Sequence, residues 1–195
     1  MAGAQQLKLA NLHDVELAAH AATGERHAFG ELVRRHGSSV RGLLRRMGAE
    51  VAEADDVAQD AFLAAFERIA EFRGEGTFAA WVKRIAARQY LRRLQRERKL
   101  QGLAAEAAEV ADVAQEGASV AGRIDLDEAL KTLSIAERLC VSMCYGAGLS
   151  HGEAAEALNL PLGTVKSHVK RGLDKLRARL APVEGAVLEG RQGNG

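Results

Sequence analysis

Apolar side chains recur along most of the chain at spacings of three, four and seven residues, the period of helices that bury one face. One such stripe runs from Ala28 to Met47, and others follow from Ala58 to Ile69 and from Phe78 to Leu91. No segment shows the strict alternation that predicts a half-buried strand. The pattern therefore predicts an all-α protein.

The apolar stripes fall into two blocks, separated by a segment of Ala, Glu and Val with scattered Gly that offers little for a core. We therefore expect two small helical domains joined by a flexible acidic linker. The expected segments are an N-terminal lead-in (1–25), a first domain (26–100), the linker (101–124), a second domain (125–181) and a Gly-rich disordered tail (182–195). One short helix, Asp14–Ala22, is expected inside the lead-in.

The sharpest local signals lie between Leu149 and Leu180. Ser150 and Glu153 have the S-x-x-E spacing of a capping box, so a helix should begin there. It should end near Asn159, which tolerates the left-handed conformation, and Pro161 is well placed to open the next helix. The predicted structure is a tight helix-turn-helix.

The second helix of this pair carries an apolar stripe, and its other positions should face outward. These outward residues bear hydroxyl, imidazole, amine and guanidinium groups: Thr164, Lys166, Ser167, His168, Lys170 and Arg171. A helix with such donors at its leading end can enter the DNA major groove, although a solvated surface is the simpler reading of any charged face. The cap, the turn and the basic leading edge together favour DNA binding.

Three carboxylates lie in the first turns of the segment from Asp55 to Phe66. Asp56 and Asp60 are a like-charge i, i+4 pair, which costs a helix roughly 0.2–0.5 kcal/mol. Favourable charge at a helix N-terminus explains Asp55 and Asp56 but not Asp60. With Gln59, this acidic face is a candidate docking surface for a basic protein partner.

A short loop and a basic helix follow. Gly74 and Gly76 lie in a loop flanked by Phe72, Phe78 and Trp81, and such a loop can admit an unstacked base, although most are simple turns. The basic residues of the next helix are Lys83, Arg84, Arg88, Arg92, Arg93, Arg96, Arg98 and Lys99, against one acid, Glu97. A nucleic-acid backbone is the natural counter-charge for so many cations.

The formal net charge of +1 conceals a strong separation of positive and negative charge along the chain, because a basic helix is followed by an acidic linker.

Cys140 and Cys144 have no second pair of cysteines with which to form a metal site, so they are expected to be buried thiols. The six histidines share no ligand spacing, so we expect no metal, no cofactor and no enzymatic activity. No stretch resembles a signal peptide or a membrane span, so we expect a cytoplasmic protein.

These segments, in this order, resemble the extracytoplasmic-function (ECF) group of bacterial RNA polymerase sigma factors. The first-domain resemblance is carried by D-D-x-x-Q-D-x-F from Asp55 to Phe62, F-R-G-E from Phe72 to Glu75, and W-x-x-x-I-A from Trp81 to Ala86. In the second domain it is carried by Gly148, Ser150, Glu153 and Ala155, and by G-T-V-K-S with Arg171. The C-terminal motif alone also resembles LuxR-type domains.

The resemblance implies three surfaces and three partners: RNA polymerase core, promoter DNA and an anti-sigma factor. The implied polymerase-binding residues are Asp55, Asp56, Gln59, Asp60 and Leu63. The implied -10 DNA-binding residues are Phe72, Arg73, Trp81, Lys83, Arg84, Arg88 and Arg92. The implied -35 DNA-binding residues are Thr164, Lys166, Ser167, His168, Lys170 and Arg171.

Several positions depart from the family pattern. Arg88 and Arg92 stand where Asn and Asp are usual, His168 replaces a common Arg, and Ser134 stands where Leu-Pro is typical. Two alternatives stay open at this point. The chain could be a stand-alone LuxR-like regulator, and its acidic linker could cover the basic faces of the free protein.

Overall fold

The computed structural model describes residues 9–100 and 126–180, and all regular elements in these ranges are helical. The N-terminal group comprises α1 (Asp14–Ala22), α2 (Arg26–Met47), α3 (Val51–Glu67), a 3-10 turn (Ile69–Glu71) and α4 (Phe78–Leu100). The C-terminal group comprises α5 (Leu126–Lys131), α6 (Ile135–Val141), a π-helical turn (Ser142–Gly146), α7 (His151–Leu158) and α8 (Leu162–Leu180). The all-α prediction is confirmed. The expected linker and tail lie outside the described residues.

The N-terminal group packs its apolar stripes into one core. Leu17 of α1, Leu32 of α2 and Val82 of α4 are fully buried in it, and Phe78 is nearly so. The predicted helix Asp14–Ala22 is confirmed, and it belongs to this core. From Leu9 onward, the expected lead-in is therefore part of the first helical group.

A polar network fastens this lead-in to α2. Arg35 donates hydrogen bonds to the backbone carbonyls of Leu9, Ala10 and Leu12, and its Nη1 lies 3.0 Å from Asp14 Oδ1. Glu31 is buried beside it and accepts hydrogen bonds from Arg34, which lowers the pKa of the Glu31 carboxyl to about 2 despite its burial. The network thus provides hydrogen-bond donors for backbone carbonyls of residues 9–12, just before α1.

The C-terminal group shows the predicted helix ends. The Ser150 hydroxyl accepts a hydrogen bond from the backbone N–H of Glu153, and the Glu153 carboxylate accepts one from the Ser150 backbone N–H. Asn159 ends α7 with a φ of 53°, in the left-handed region. Thr164 and Val165 donate to the Pro161 carbonyl as α8 begins. The predicted capping box and tight helix-turn-helix are confirmed.

Helices α6 and α8 pack face to face around Gly172. A Cβ atom at this position would lie 2.8 Å from Val141 Cγ2 and 3.5 Å from Glu137 Cβ. The absence of a side chain at residue 172 therefore lets the side chains of α6 lie directly against the backbone of α8. This close approach fixes α8, the second helix of the helix-turn-helix, onto its support.

The two helical groups share one apolar core. Leu139, Cys140 and Met143 are buried in the same cluster as the residues of α2 and α4. The π-helical turn lies against α2, where a Cβ on Gly146 would come 2.7 Å from Leu43 Cδ1. The sequence predicted two domains joined by a flexible linker, and in the structure the two groups also pack directly on each other. Helical periodicity identifies an apolar face but not what covers it.

The two cysteines differ in exposure. Cys140 is fully buried, and this burial raises the pKa of its thiol to about 12. Cys144 is half-buried rather than buried as expected, because it lies on the π-helical turn near the surface of the shared core. Within residues 9–100 and 126–180, no helix is long and apolar enough to cross a membrane.

We predict that Gly172→Ala lowers the free energy of unfolding by about 1–3 kcal/mol, because the added methyl group overpacks the contact with Val141. Gly163→Ala is the matched control on the same helix, since a Cβ there meets nothing within 4 Å. Urea denaturation of the two variants and the unchanged chain measures the effect. Equal stabilities for both variants would contradict the close approach of α6 and α8.

Candidate functional site

One exposed face of α3 carries the residues expected to bind polymerase. Asp55, Asp56, Gln59, Asp60 and Leu63 are all exposed, and Leu63 keeps 57% of its surface accessible. The next residues inward, Ala58, Ala61 and Phe62, are buried and fix the orientation of the helix. The structure therefore gathers the predicted acidic residues, with one large apolar side chain, on a single surface.

A groove of about 880 Å³ opens beside this face, between α2 and α3. Its apolar lining comes from Phe29, Val33, Phe62, Leu63 and Phe66, and its polar rim includes Arg26, Arg41, Asp55 and Gln59. Arg41 Nε lies 3.5 Å from Asp55 Oδ1 across the rim. Sequence reasoning missed the groove, although Phe29 and Val33 on α2 have the i, i+4 spacing of one helical face. We call this groove and the exposed residues of α3 the α3 face.

Aromatic side chains support the loop between the 3-10 turn and α4. Phe72 packs edge-on against Phe78, with ring centroids 5.6 Å apart, and it also lies 5.5 Å from the Trp81 ring. Phe78 is buried, whereas Phe72 and Trp81 are half-buried and Arg73 is exposed. Gly74 and Gly76 take φ values of 75° and 91°, which only glycine adopts without strain. The loop is thus held by rings that keep part of their surface accessible.

The cations of α4 do not all face the same way. Arg93 turns toward α3, where its Nε lies 3.5 Å from Glu53 Oε1, and it also pairs with Glu97. Lys83 and Arg84 are half-buried, whereas Arg88 and Arg92 are exposed. Arg84 Nη2 donates to the Gly148 carbonyl at 2.8 Å, so part of the predicted DNA-binding face meets the C-terminal helical group.

Helix α8 exposes four of the six residues predicted to bind DNA. Lys166, Ser167, Lys170 and Arg171 are exposed, while Thr164 and His168 are half-buried. Between them, Val165 and Val169 are buried and hold the helix on the core. Arg171 Nη2 lies 3.0 Å from His168 Nδ1, so two of the predicted residues contact each other.

Sequence reasoning missed Glu137, a buried carboxylate that supports α8. Glu137 Oε2 lies 2.8 Å from Lys175 Nζ, and its Oε1 lies 3.9 Å from Arg171 Nε. Burial alone would raise the pKa of this carboxyl, but Lys175 and the capping contacts of Ser134 lower it overall. The S-x-x-E spacing of Ser134 and Glu137, the same as that of Ser150 and Glu153, is the signal that could have identified it.

In the described part of the chain, no group of three or more His, Cys, Asp or Glu side chains is arranged to hold a metal ion. What the structure presents instead is two kinds of recognition surface. One is the acidic and apolar α3 face, and the other is basic, with aromatic support on α4 and exposed donors on α8. The first suits a basic protein helix, and the second suits nucleic acid.

Comparison with known proteins matches both helical groups. The Sigma-70 region 2 family model matches residues 32–100, and the Sigma-70, region 4 model matches residues 129–178. The RNA polymerase sigma factor NccH of Alcaligenes xylosoxydans xylosoxydans is 33% identical, over 86% of this chain and 94% of NccH. The ECF RNA polymerase sigma factor SigM of Mycobacterium tuberculosis (strain H37Rv) is 34% identical, over 91% of this chain and 87% of SigM.

A solved structure supports the same assignment. The structure of CnrH in complex with the cytosolic domain of CnrY matches with a TM-score of 0.51 and 29% sequence identity. The match covers 88% of this chain and 99% of CnrH. With both family models matched in order, and with full-length relatives above 30% identity, this chain belongs to the ECF group of RNA polymerase sigma factors.

Proposed function

We propose that this chain joins the core of a bacterial RNA polymerase and directs it to promoters by recognising their -10 and -35 elements. One observation carries the proposal: a single chain presents an acidic, apolar-grooved surface on α3 and, separately, a basic helix-turn-helix helix with exposed donors. The chain supplies sequence specificity, and the chemistry of RNA synthesis belongs to the polymerase. On this view the chain is not itself an enzyme.

The domain roles follow the two helical groups. Residues 26–100 would bind the polymerase core and the -10 element, with residues 1–25 packed in part against them. Residues 125–181 would bind the -35 element, residues 101–124 would set the spacing between the two, and residues 182–195 would form a tail. Each DNA-binding surface is small and would bind DNA weakly alone. The affinity for a promoter would come from holding both surfaces at the spacing of the two elements, because binding at one element raises the effective concentration of the other surface at its own element.

The α3 face is the proposed polymerase-docking surface. Asp56 and Asp60 would attract a basic helix of the polymerase, and Gln59 would fix its position by hydrogen bonding. Leu63 stands exposed at the edge of the apolar groove, so it offers an anchor that the partner helix can cover. The Asp55 carboxylate pairs with Arg41 at the rim of the groove.

The loop from Phe72 to Thr77 and helix α4 form the proposed -10 surface. Phe72 and Trp81 keep ring surface accessible, so unstacked bases of the opened strand can stack on them. The neighbouring cations would contact the DNA backbone: Arg73, Lys83, Arg84, Arg88 and Arg92. Arg88 and Arg92 stand where Asn and Asp are usual in the family. We therefore expect the DNA sequence that this chain prefers at the -10 element to differ from the one that family members usually prefer.

Helix α8 is the proposed -35 surface. Its leading end carries Thr164, Lys166, Ser167 and His168, and these side chains would meet base edges and phosphates in the major groove. Lys170 and Arg171 would bind phosphates on one side. Glu137 holds Lys175 and lies near Arg171, so it limits the freedom of the helix before DNA arrives.

We further propose an inhibitory protein partner, an anti-sigma factor. The support is the likeness to CnrH, whose solved structure is a complex with the cytosolic domain of CnrY. An apolar groove beside an acidic face, as on α3, can accept an amphipathic helix from such a partner as well as one from the polymerase. The two partners would then compete for the same surface.

Transcription in vitro tests the proposed function. The purified chain, added to bacterial core polymerase and a pool of genomic promoter fragments, should produce discrete start sites that are absent without it. Alignment of the sequences upstream should show two conserved elements at constant spacing. Binding to DNA that is independent of polymerase, with no initiation, would instead indicate a stand-alone helix-turn-helix regulator.

We predict that Asp60→Asn weakens polymerase binding by about 1 kcal/mol, roughly fivefold, because an exposed charge is lost from the interface. Glu156→Gln on α7 is the matched control, since this residue is another exposed acid and lies outside the α3 face. Biolayer interferometry with immobilised core polymerase measures both affinities. Equal losses in the two variants would contradict docking through α3.

We predict that Lys166→Ala weakens binding to the duplex -35 fragments found by the transcription experiment and lowers the slope of log affinity against log salt by about 1. Arg177→Ala is the control, because it removes another exposed cation, one that pairs with Asp174, roughly 16 Å further along α8. Fluorescence anisotropy at several salt concentrations measures both quantities. If Arg177→Ala reduced the slope as much as Lys166→Ala, the leading end of α8 would not be the DNA surface.

A further inference from the structure

A buried carboxylate on α6, that of Glu137, lies beneath the exposed donors of α8. The residue keeps only 2% of its surface accessible. A Cβ atom on Gly172 would lie 3.5 Å from Glu137 Cβ, so the Glu137 side chain starts directly against the α8 backbone. Gly172 follows Arg171, one of the residues proposed to bind the -35 element. Because Glu137 is buried, any effect it has on DNA binding must pass through another residue.

Two donors fix the direction of this carboxylate. Its Oε2 accepts hydrogen bonds from Lys175 Nζ at 2.8 Å and from the Ser134 backbone N–H at 3.1 Å. Burial opposes ionisation, but these contacts keep the pKa of the Glu137 carboxyl below its ordinary value. The carboxylate is therefore charged at neutral pH, and one of its oxygen atoms is already occupied.

The other oxygen atom faces Arg171. Glu137 Oε1 lies 3.9 Å from Arg171 Nε, which is too long for a hydrogen bond and leaves an electrostatic attraction. At its far end the same guanidinium contacts His168, with Arg171 Nη2 3.0 Å from His168 Nδ1. The Arg171 guanidinium is thus oriented from two sides, although 60% of the side chain is exposed.

The contact with Arg171 also defines the state of the His168 ring. A guanidinium nitrogen can only donate, so His168 Nδ1 accepts and the ring proton is on Nε2. In this state the ring presents a donor at Nε2, which suits the acceptors of guanine, adenine or thymine rather than the amino group of cytosine. Glu137 therefore bears on two of the six proposed -35 residues, on Arg171 directly and on His168 through it.

Orienting an arginine in advance favours specific DNA over non-specific DNA. A long side chain loses rotamer freedom when it binds in one geometry, and an arginine that is already oriented loses less. Non-specific DNA is bound mainly through charge, which depends little on the direction of one guanidinium. A fixed Arg171 should therefore raise the affinity for the -35 element more than the affinity for other sequences.

We propose that Glu137 is a positioning residue for the -35 element: its buried carboxylate orients Arg171, and Arg171 orients the His168 ring. This inference rests on the proposed function, since it assigns α8 to -35 DNA. Glu137 touches no DNA itself, and it acts from α6 through the two side chains of α8. Removal of its charge should therefore lower specificity without removing a DNA contact.

Three variants separate this role from a purely structural one. Glu137→Gln keeps the shape of the side chain and its place in the capping box, because glutamine also serves there, but removes the charge. Glu153→Gln is the matched control, since it removes the same charge from the same capping position of α7, where the carboxylate faces Arg88 of α4. Lys175→Met removes the other ion pair of Glu137.

Fluorescence anisotropy measures the affinity of the full chain for the -35 duplex found by the transcription experiment, and for a scrambled duplex. We expect Glu137→Gln to bind the -35 duplex about fivefold more weakly. It should bind the scrambled duplex at least as tightly as the unchanged chain, because a negative charge has been removed. Glu153→Gln and Lys175→Met should keep the ratio of the two affinities. With single base-pair changes in the -35 duplex, Glu137→Gln should lose discrimination at the same positions as Arg171→Ala.

Nuclear magnetic resonance of the 15N-labelled full chain reports on Arg171 without DNA or polymerase. The Arg171 Nε–H signal is assigned by its absence from the spectrum of Arg171→Lys. We expect the order parameter of this bond to fall in Glu137→Gln and to stay unchanged in Glu153→Gln. A structural role of Glu137 in capping α6 alone would leave this order parameter unchanged.

The proposal is overturned if folded Glu137→Gln keeps the ratio of the two affinities, or if the Arg171 order parameter does not fall. It is also overturned if Lys175→Met loses specificity to the same extent, since Glu137 would then act through Lys175. Should Glu137→Gln fail to fold, Glu137→Asp withdraws the carboxylate from Arg171 by one methylene and should lower the ratio in the same direction.

Failure of the proposed function is recognised separately, because the unchanged chain would then give no polymerase-dependent start sites. The order parameter of Arg171 does not depend on polymerase or on a known promoter. It therefore decides in that case whether Glu137 orients Arg171.

Discussion

The packing of the π-helical turn against α2 is the contact on which the rest of the arrangement depends. Gly146 has no side chain, so Leu43 can lie directly on the turn, and the buried residues of α6 then continue the core of the first helical group. At the end of α2, the Arg138 guanidinium lies against Gly48, where a Cβ atom would overlap it. These close approaches set the position of α7, and Gly148, just before α7, accepts a hydrogen bond from Arg84 of α4.

The proposed functional surfaces are what this burial leaves polar and exposed. On α3, Ala58, Ala61 and Phe62 are buried in the core, so the carboxylates and Leu63 stay at the surface. On α8, Val165 and Val169 are buried and the donors between them point outward. The exposed apolar side chain beside charged ones explains why the α3 face suits a protein, whereas the purely polar edge of α8 suits DNA.

Sequence reasoning succeeded where the signal was local. The limits of α1, the capping box at Ser150 and the left-handed Asn159 all depend on residues within four positions of each other. It failed where partners are distant: Arg84 looked like a cation with no counter-charge, yet its acceptor on Gly148 lies 64 residues away. The spacing of Ser134 and Glu137 could have identified Glu137 as a capping residue, but its contact with Lys175, 38 residues further on, could not be read from the sequence. The period of apolar residues identifies the buried face of each helix, but only the three-dimensional structure shows which helices pack against each other.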